Sequence, residues 1–115
     1  MAGHVYHLAL AGDWEARTRD DYRVSTLGAT LEQRGFIHCS FREQVQDVAD
    51  LVYRGRNDVV LLEIDTQLLT SPLRAEEGDG GGGVFPHLYG PLNRDAVVRV
   101  VPVRRGGDGR LRIPL

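Results

Sequence analysis

The sequence predicts an α+β sandwich in a single domain over residues 1–115, and three observations predict it. The run DVVLLEID, residues 58–65, is apolar almost throughout, as a strand covered on both faces must be. Strand-forming words recur at VYHLAL, GFIHCS, VFPHLYG and AVVRVVPVRR, whereas two helix-forming stretches gather in the N-terminal half. No strand–helix–strand repeat of the kind that builds a doubly wound parallel sheet is present. A chain of 115 residues has a common domain length and can bury one sizeable core.

HVYHLAL opens as a strand, and Ala11-Gly12-Asp13 prepares a helix with aspartate as its cap. DWEARTRD continues that helix for about two turns, ending at Asp20-Asp21 before the extended DYRVSTL. GFIHCS is a short strand, and Ser40-Phe41-Arg42-Glu43 fits a capping box, so Ser40 is expected to open the second helix. Val45, Val48, Ala49 and Val52 recur at three- and four-residue steps and define its buried face, which ends near Gly55. After the turn GRND comes DVVLLEID, the expected central strand. Thr66 to Gly83 holds a helical turn, an extended PLRAEE and the run GDGGGG, whose backbone freedom suits a mobile hairpin loop or lid around residues 80–83. VFPHLYG, AVVRVVPVRR and GRLRIPL supply the last strands.

The composition excludes several functions. Net charge is −2 and all 14 cationic side chains are arginines, scattered rather than gathered on one basic face, which argues against duplex nucleic acid as a partner. A few arginines can still clamp nucleotide phosphates. The single cysteine excludes an internal disulfide, and no segment approaches the roughly 18 apolar residues needed to span a bilayer. MAGHVYHLAL has histidines where a secretion signal carries a basic end, so a cytoplasmic protein is expected.

Three of the four histidines lie in strand-like apolar words: His7 in VYHLAL, His38 in GFIHCS and His87 in VFPHLYG. Histidine changes charge near neutral pH, so such residues converging across a sheet can bind ribose or phosphate, or move protons. The plainer alternative is that each satisfies a hydrogen bond in the core. His4, near the terminus, is not assigned a role. No metal is expected: His38 and Cys39 are adjacent and point to opposite strand faces, and no CxxC or HExxH pair is present. Cys39 is a nucleophile only if a helix start lowers its pKa, and otherwise a small core residue. The amides after Ser40 offer either an anion site or an ordinary helix cap. The Tyr89 ring can stack on a base or nicotinamide, or pack in the sheet.

In order along the chain, VYHLAL with DWEA, GFIHCS with its helix, YRG, DVVLLEID, FPHLYGPL and AVVRV resemble the small bacterial family called domain of unknown function 952, over Val5 to about Val103. The resemblance implies a fold similar to that of ADP-ribosyltransferases, a split β-sandwich with a cleft that holds NAD in the enzymes that use it. His7, His38 and His87 fall at positions corresponding to those that superfamily uses around the nicotinamide-side ribose, in a pattern similar to its RNA 2′-phosphotransferase branch. At the late position HLYG stands in place of the usual glutamate, and Glu63, Glu76 and Glu77 lie outside the motif. The resemblance therefore implies a transferase or glycosidic hydrolase directed at NAD or another small nucleotide rather than at proteins. In that reading His7, His38 and His87 are catalytic, Ser40 and Tyr89 bind the ligand, and NAD is a co-substrate. The alternative is a non-catalytic nucleotide- or protein-binding module of the same fold, and a third reading is a plain structural domain.

Overall fold

The computed structural model describes residues 3–16, 21–78 and 83–115. Two three-stranded sheets carry the architecture. The first contains β1 (His4–Leu10), β6 (Val59–Asp65) and β10 (Val97–Pro102) in the order β1-β6-β10. The second contains β5 (Ile37–His38), β7 (Leu73–Glu77) and β8 (Val84–Leu88) in the order β5-β8-β7. All the strand pairs are antiparallel, so the expected α+β class is found. An isolated bridge between Tyr6 and Ser40, with both amide–carbonyl bonds made, joins the edge of the first sheet to the end of β5. Three two-stranded ribbons complete the described strands. They are β2 (Asp21–Tyr22) with β9 (Leu92–Asn93), β3 (Val24–Thr26) with β4 (Ala29–Thr30), and β11 (Arg104–Arg105) with β12 (Leu111–Arg112).

β6 is central and covered on both faces, as its nearly continuous apolar run requires. Val60, Leu62 and Ile64 join Val5 and Ala9 of β1 in one core, which also takes in Tyr22, Ile37, Cys39, Leu88 and Leu92. Val59 and Leu61 turn the other way and pack with Tyr6 and Leu8 against a helix. That helix is α3 (Val45–Val52), which buries Val45 and Ala49 and leaves Val48 and Val52 half-buried.

Helix entry differs from the expectation at three places. Two helices were expected in the N-terminal half; among the described residues three short ones are found there, α1 (Ala11–Glu15), α2 (Leu31–Arg34) and α3. α2 is held by a capping box in which Thr30 accepts the Gln33 amide and Gln33 accepts the Thr30 amide, and it ends at Gly35 with φ +85°. Asp13 lies in the first turn of α1 rather than at its cap. Ser40 does not open the second predicted helix, because its backbone is committed to Tyr6. A 3-10 turn, Arg42–Gln44, intervenes instead, and the Phe41 amide donates to Gln44 Oε1 at 2.9 Å. The helical turn after Thr66 and the extended PLRAEE are found as a 3-10 turn, Thr66–Leu68, and β7. The second turn expected of the first helix and the core of the glycine run lie at residues 17–20 and 79–82, outside the described residues.

Candidate functional site

Strand alternation sorts the second sheet into a core face and an outward face. Ile37, Pro86 and Leu88 turn inward and are fully buried. The register sets His38 opposite His87 and Arg74 opposite His87, with Glu76 opposite Phe85. Phe36, His38, Phe85, His87, Tyr89, Arg74 and Glu76 therefore share the outward face. His38 and His87 come together across the strands, with ring centres 6.0 Å apart.

His7 is placed differently. It shares the inward face of β1 with Val5 and Ala9 and is 3% exposed. Its Nδ1–H donates to the His38 carbonyl at 2.6 Å, and its Nε2 accepts the Tyr22 hydroxyl at 3.0 Å. A carbonyl can only accept, which fixes the tautomer. Burial pulls the His7 pKa down from 6.5 to about 4, against the opposing effect of its bond to the His38 carbonyl, so the ring is neutral at physiological pH. Burial likewise pushes the Tyr22 phenol up, which keeps its hydroxyl proton in place.

His38 stands where two hollows meet. The inner one, of about 10 Å³, is lined by His7, Ser25, His38, Ser40 and Tyr53. It is the size of one water molecule, and the buried Ser25 hydroxyl has no hydrogen-bond partner among the described residues. The outer one is an open groove of about 330 Å³, walled by Leu27, Val48, Leu51, Val52 and Phe85 and edged by Arg34, with His38 again in its lining. Leu51 is 86% exposed there. His7, His38 and Ser40 thus converge on one polar hollow at the end of an apolar groove.

His87 and Tyr89 lie further along the same sheet face, outside that groove. Glu76 links them: its Oε1 accepts the Tyr89 hydroxyl and lies 3.0 Å from His87 Nδ1. Those two bonds, Tyr89 first, hold the Glu76 carboxyl below its ordinary range, so it is ionised. Phe36 stacks flat on the His87 ring at 4.0 Å, and Arg74 sits 5.3 Å over Tyr89. His87 Nε2 is buried without a hydrogen-bond partner among the described residues.

A carboxylate therefore stands beside His87, where the sequence motif alone offered none. Glu76 comes from the neighbouring strand, and the β7–β8 register that delivers it has no local sequence signal. Ser25, Tyr22 and Phe36 were missed for the same reason, although Phe36 lies within GFIHCS. Cys39 joins the core, and burial pushes its thiol up to about 12, which removes it as a nucleophile. The Ser40 and Phe41 amides are both occupied by internal acceptors, so the anion site expected from a helix start at Ser40 is not formed by them. Among the described residues no group of three or more His, Cys, Asp or Glu is arranged to hold a metal ion, and no helix is long and apolar enough to cross a membrane.

Fold and site together define a small antiparallel α+β protein with a histidine-ended surface groove. The chain belongs to the family described as protein of unknown function (DUF952), which it matches over residues 8–100. Its structure is similar to the crystal structure of protein CC0527 from Caulobacter crescentus, with a TM-score of 0.82 and 31% identity over 96% of this chain and 94% of that one. The solution structure of the same Caulobacter crescentus protein gives a TM-score of 0.75 and 32% identity, over 92% of this chain and 89% of that one. No curated protein matches.

Proposed function

We propose that the chain is a nucleotide-directed enzyme of ADP-ribosyltransferase-like fold, a transferase or glycosidic hydrolase that takes NAD as co-substrate in the groove ending at His38. The observation that carries this reading is the convergence of His7, Ser25, His38 and Ser40 on one polar hollow at the end of an apolar groove. Such a site has the make-up of a small-molecule pocket, apolar walls with a few convergent polar groups. A flat base or nicotinamide packs against Leu27, Val52 and Phe85, and Arg34 brings positive charge to a phosphate. The inner hollow accepts only the tip of a ligand, one ribose hydroxyl in place of a water, with Ser25 Oγ and Ser40 around it.

Within this reading His38 holds the ribose and its phosphate, and His87 is the polariser or acid/base. His7 acts as a positioning residue, since both its ring nitrogens are engaged within the protein. Tyr89 acts through Glu76 rather than by lining the groove.

A thermal-shift screen against NAD, ADP-ribose, nicotinamide and phosphorylated nucleotides, repeated with His38→Ala, tests the proposal. A ligand at a hundredfold excess over its Kd adds about 2.7 kcal/mol to stability. The expected result is a rise in Tm with NAD or ADP-ribose that His38→Ala abolishes. No shift with any of these ligands overturns the reading. Binding without turnover is a second reading, favoured by the stacking of Phe36 over His87. It predicts the same shifts and intact NAD after long incubation.

A further inference from the structure

The arrangement around Glu76 carries an inference that rests on the nucleotide reading for its biological meaning but stands on its own geometry. We propose that Glu76, His87 and Tyr89 form a proton-transfer site in which His87 Nε2 takes the proton of a ligand hydroxyl admitted by local opening around the ring. Three observations meet here. An ionised carboxylate can only accept, so the 3.0 Å contact between Glu76 Oε1 and His87 Nδ1 puts the ring proton on Nδ1. In the neutral ring that leaves a lone pair on Nε2, which is buried with no hydrogen-bond partner among the described residues. Buried polar atoms without partners are rare, and a catalytic role is one of the few reasons to keep one. The third observation is the packing: Phe36, after the turn through Gly35, stacks on one face of the imidazole within 18° of parallel at 4.0 Å and so holds the ring closed in the sheet.

The orientation of the ring gives the ligand chemistry. His87 is on the middle strand, with Glu76 on one flanking strand and His38 on the other. Nε2 is the ring corner away from Glu76, so the vacant lone pair is turned from the β7 edge. A neutral imidazole lone pair is matched by an O–H donor, either a ribose hydroxyl or a water. In the transfer the ligand O–H bond breaks and an N–H bond forms at Nε2. The oxygen gains the electron pair and becomes the nucleophile, and the ring becomes an imidazolium whose Nδ1–H remains held by the Glu76 carboxylate. Tyr89 donates to the same Glu76 oxygen and fixes the carboxylate in place, so both Glu76 and Tyr89 are positioning residues.

Two measurements on the free protein decide this without a nucleotide. Long-range proton–nitrogen NMR of histidine-labelled protein, with His87→Gln used to assign the signal, reads the tautomer. The expected result is a proton on Nδ1 alone in the wild type and a mixture of tautomers in Glu76→Ala; a proton on Nε2 in the wild type, or an unchanged tautomer in the variant, overturns the proposal. Glu76 is half-exposed on the edge strand β7, so the variant keeps its core, and Glu76→Gln provides a second test of the carboxylate. Diethyl pyrocarbonate, which acylates unprotonated imidazole nitrogen, reads access. His87 is expected to react about tenfold faster in Phe36→Ala than in the wild type, because a buried group reacts only through local opening. Equal rates in the two proteins overturn the role of Phe36. Failure of ADP-ribose to bind in the thermal-shift screen touches only the nucleotide reading and leaves both results standing.

Discussion

Tyr22 contributes through a single hydroxyl, which donates to His7 Nε2 in a place closed to water. The phenol is 1% exposed, meets the His7 ring edge-on at 5.3 Å and also contacts Trp14. Tyr22→Phe preserves the ring packing and strands an acceptor in the core. The expected cost is about 1–3 kcal/mol, the penalty of a buried polar group left unpaired, measured by urea unfolding. A change below about 0.5 kcal/mol would mean that a water replaces the hydroxyl. The histidines of the site were legible in the sequence because a polar residue inside an apolar strand word stands out. Tyr22, Ser25 and Glu76 were not, because each is set against the histidines by the tertiary arrangement of separate strands, which no local pattern encodes.

At the scale of elements, α3 shows what pattern reading can and cannot supply. Its buried face follows from apolar spacing alone, and so does the central position of β6. Its start does not, because Ser40 and Glu43 carry the letters of a capping box while the backbone of Ser40 is already paired with Tyr6. Tertiary pairing wins, and Gln44 does the capping one residue later. Strands of two or three residues, such as β2, β3, β4 and β9, are too short to show a period at all. Gln44 also donates from its amide to the Val84 carbonyl at 2.6 Å, so it ties the start of the helix to β8. Gln44→Ala removes both bonds and is expected to cost about 1 kcal/mol, with faster hydrogen exchange at the Phe41 amide. An unchanged exchange rate there would show that the amide has another acceptor.

The whole molecule is held at one point by His7. Its backbone belongs to the first sheet, its Nδ1 bonds the His38 carbonyl in the second, and its Nε2 meets Tyr22 in the β2–β9 ribbon. A proton on this ring must displace the Tyr22 hydroxyl hydrogen and place charge in the core that all three sheets share, so its cost is global. Folding lowers the His7 pKa from 6.5 to about 4, and the unfolded chain therefore binds more protons between those values. Stability is full above about pH 6.5 and falls as the pH drops toward 4, by about 3 kcal/mol at most, at roughly 1.4 kcal/mol for each pH unit between the two pKa values. Asp50, Asp58, Glu63 and Glu76 are all held below their ordinary carboxylate range, so their stabilising contributions are lost only at lower pH as they protonate. The interval from pH 6.5 to about 4.5 thus separates the His7 loss from that of these carboxylates. Urea unfolding across that interval, in the wild type and in His7→Gln, separates His7 from the rest. The wild type is expected to lose stability more steeply than the variant, and parallel slopes would show that His7 protonates as easily in the folded protein as in the unfolded chain.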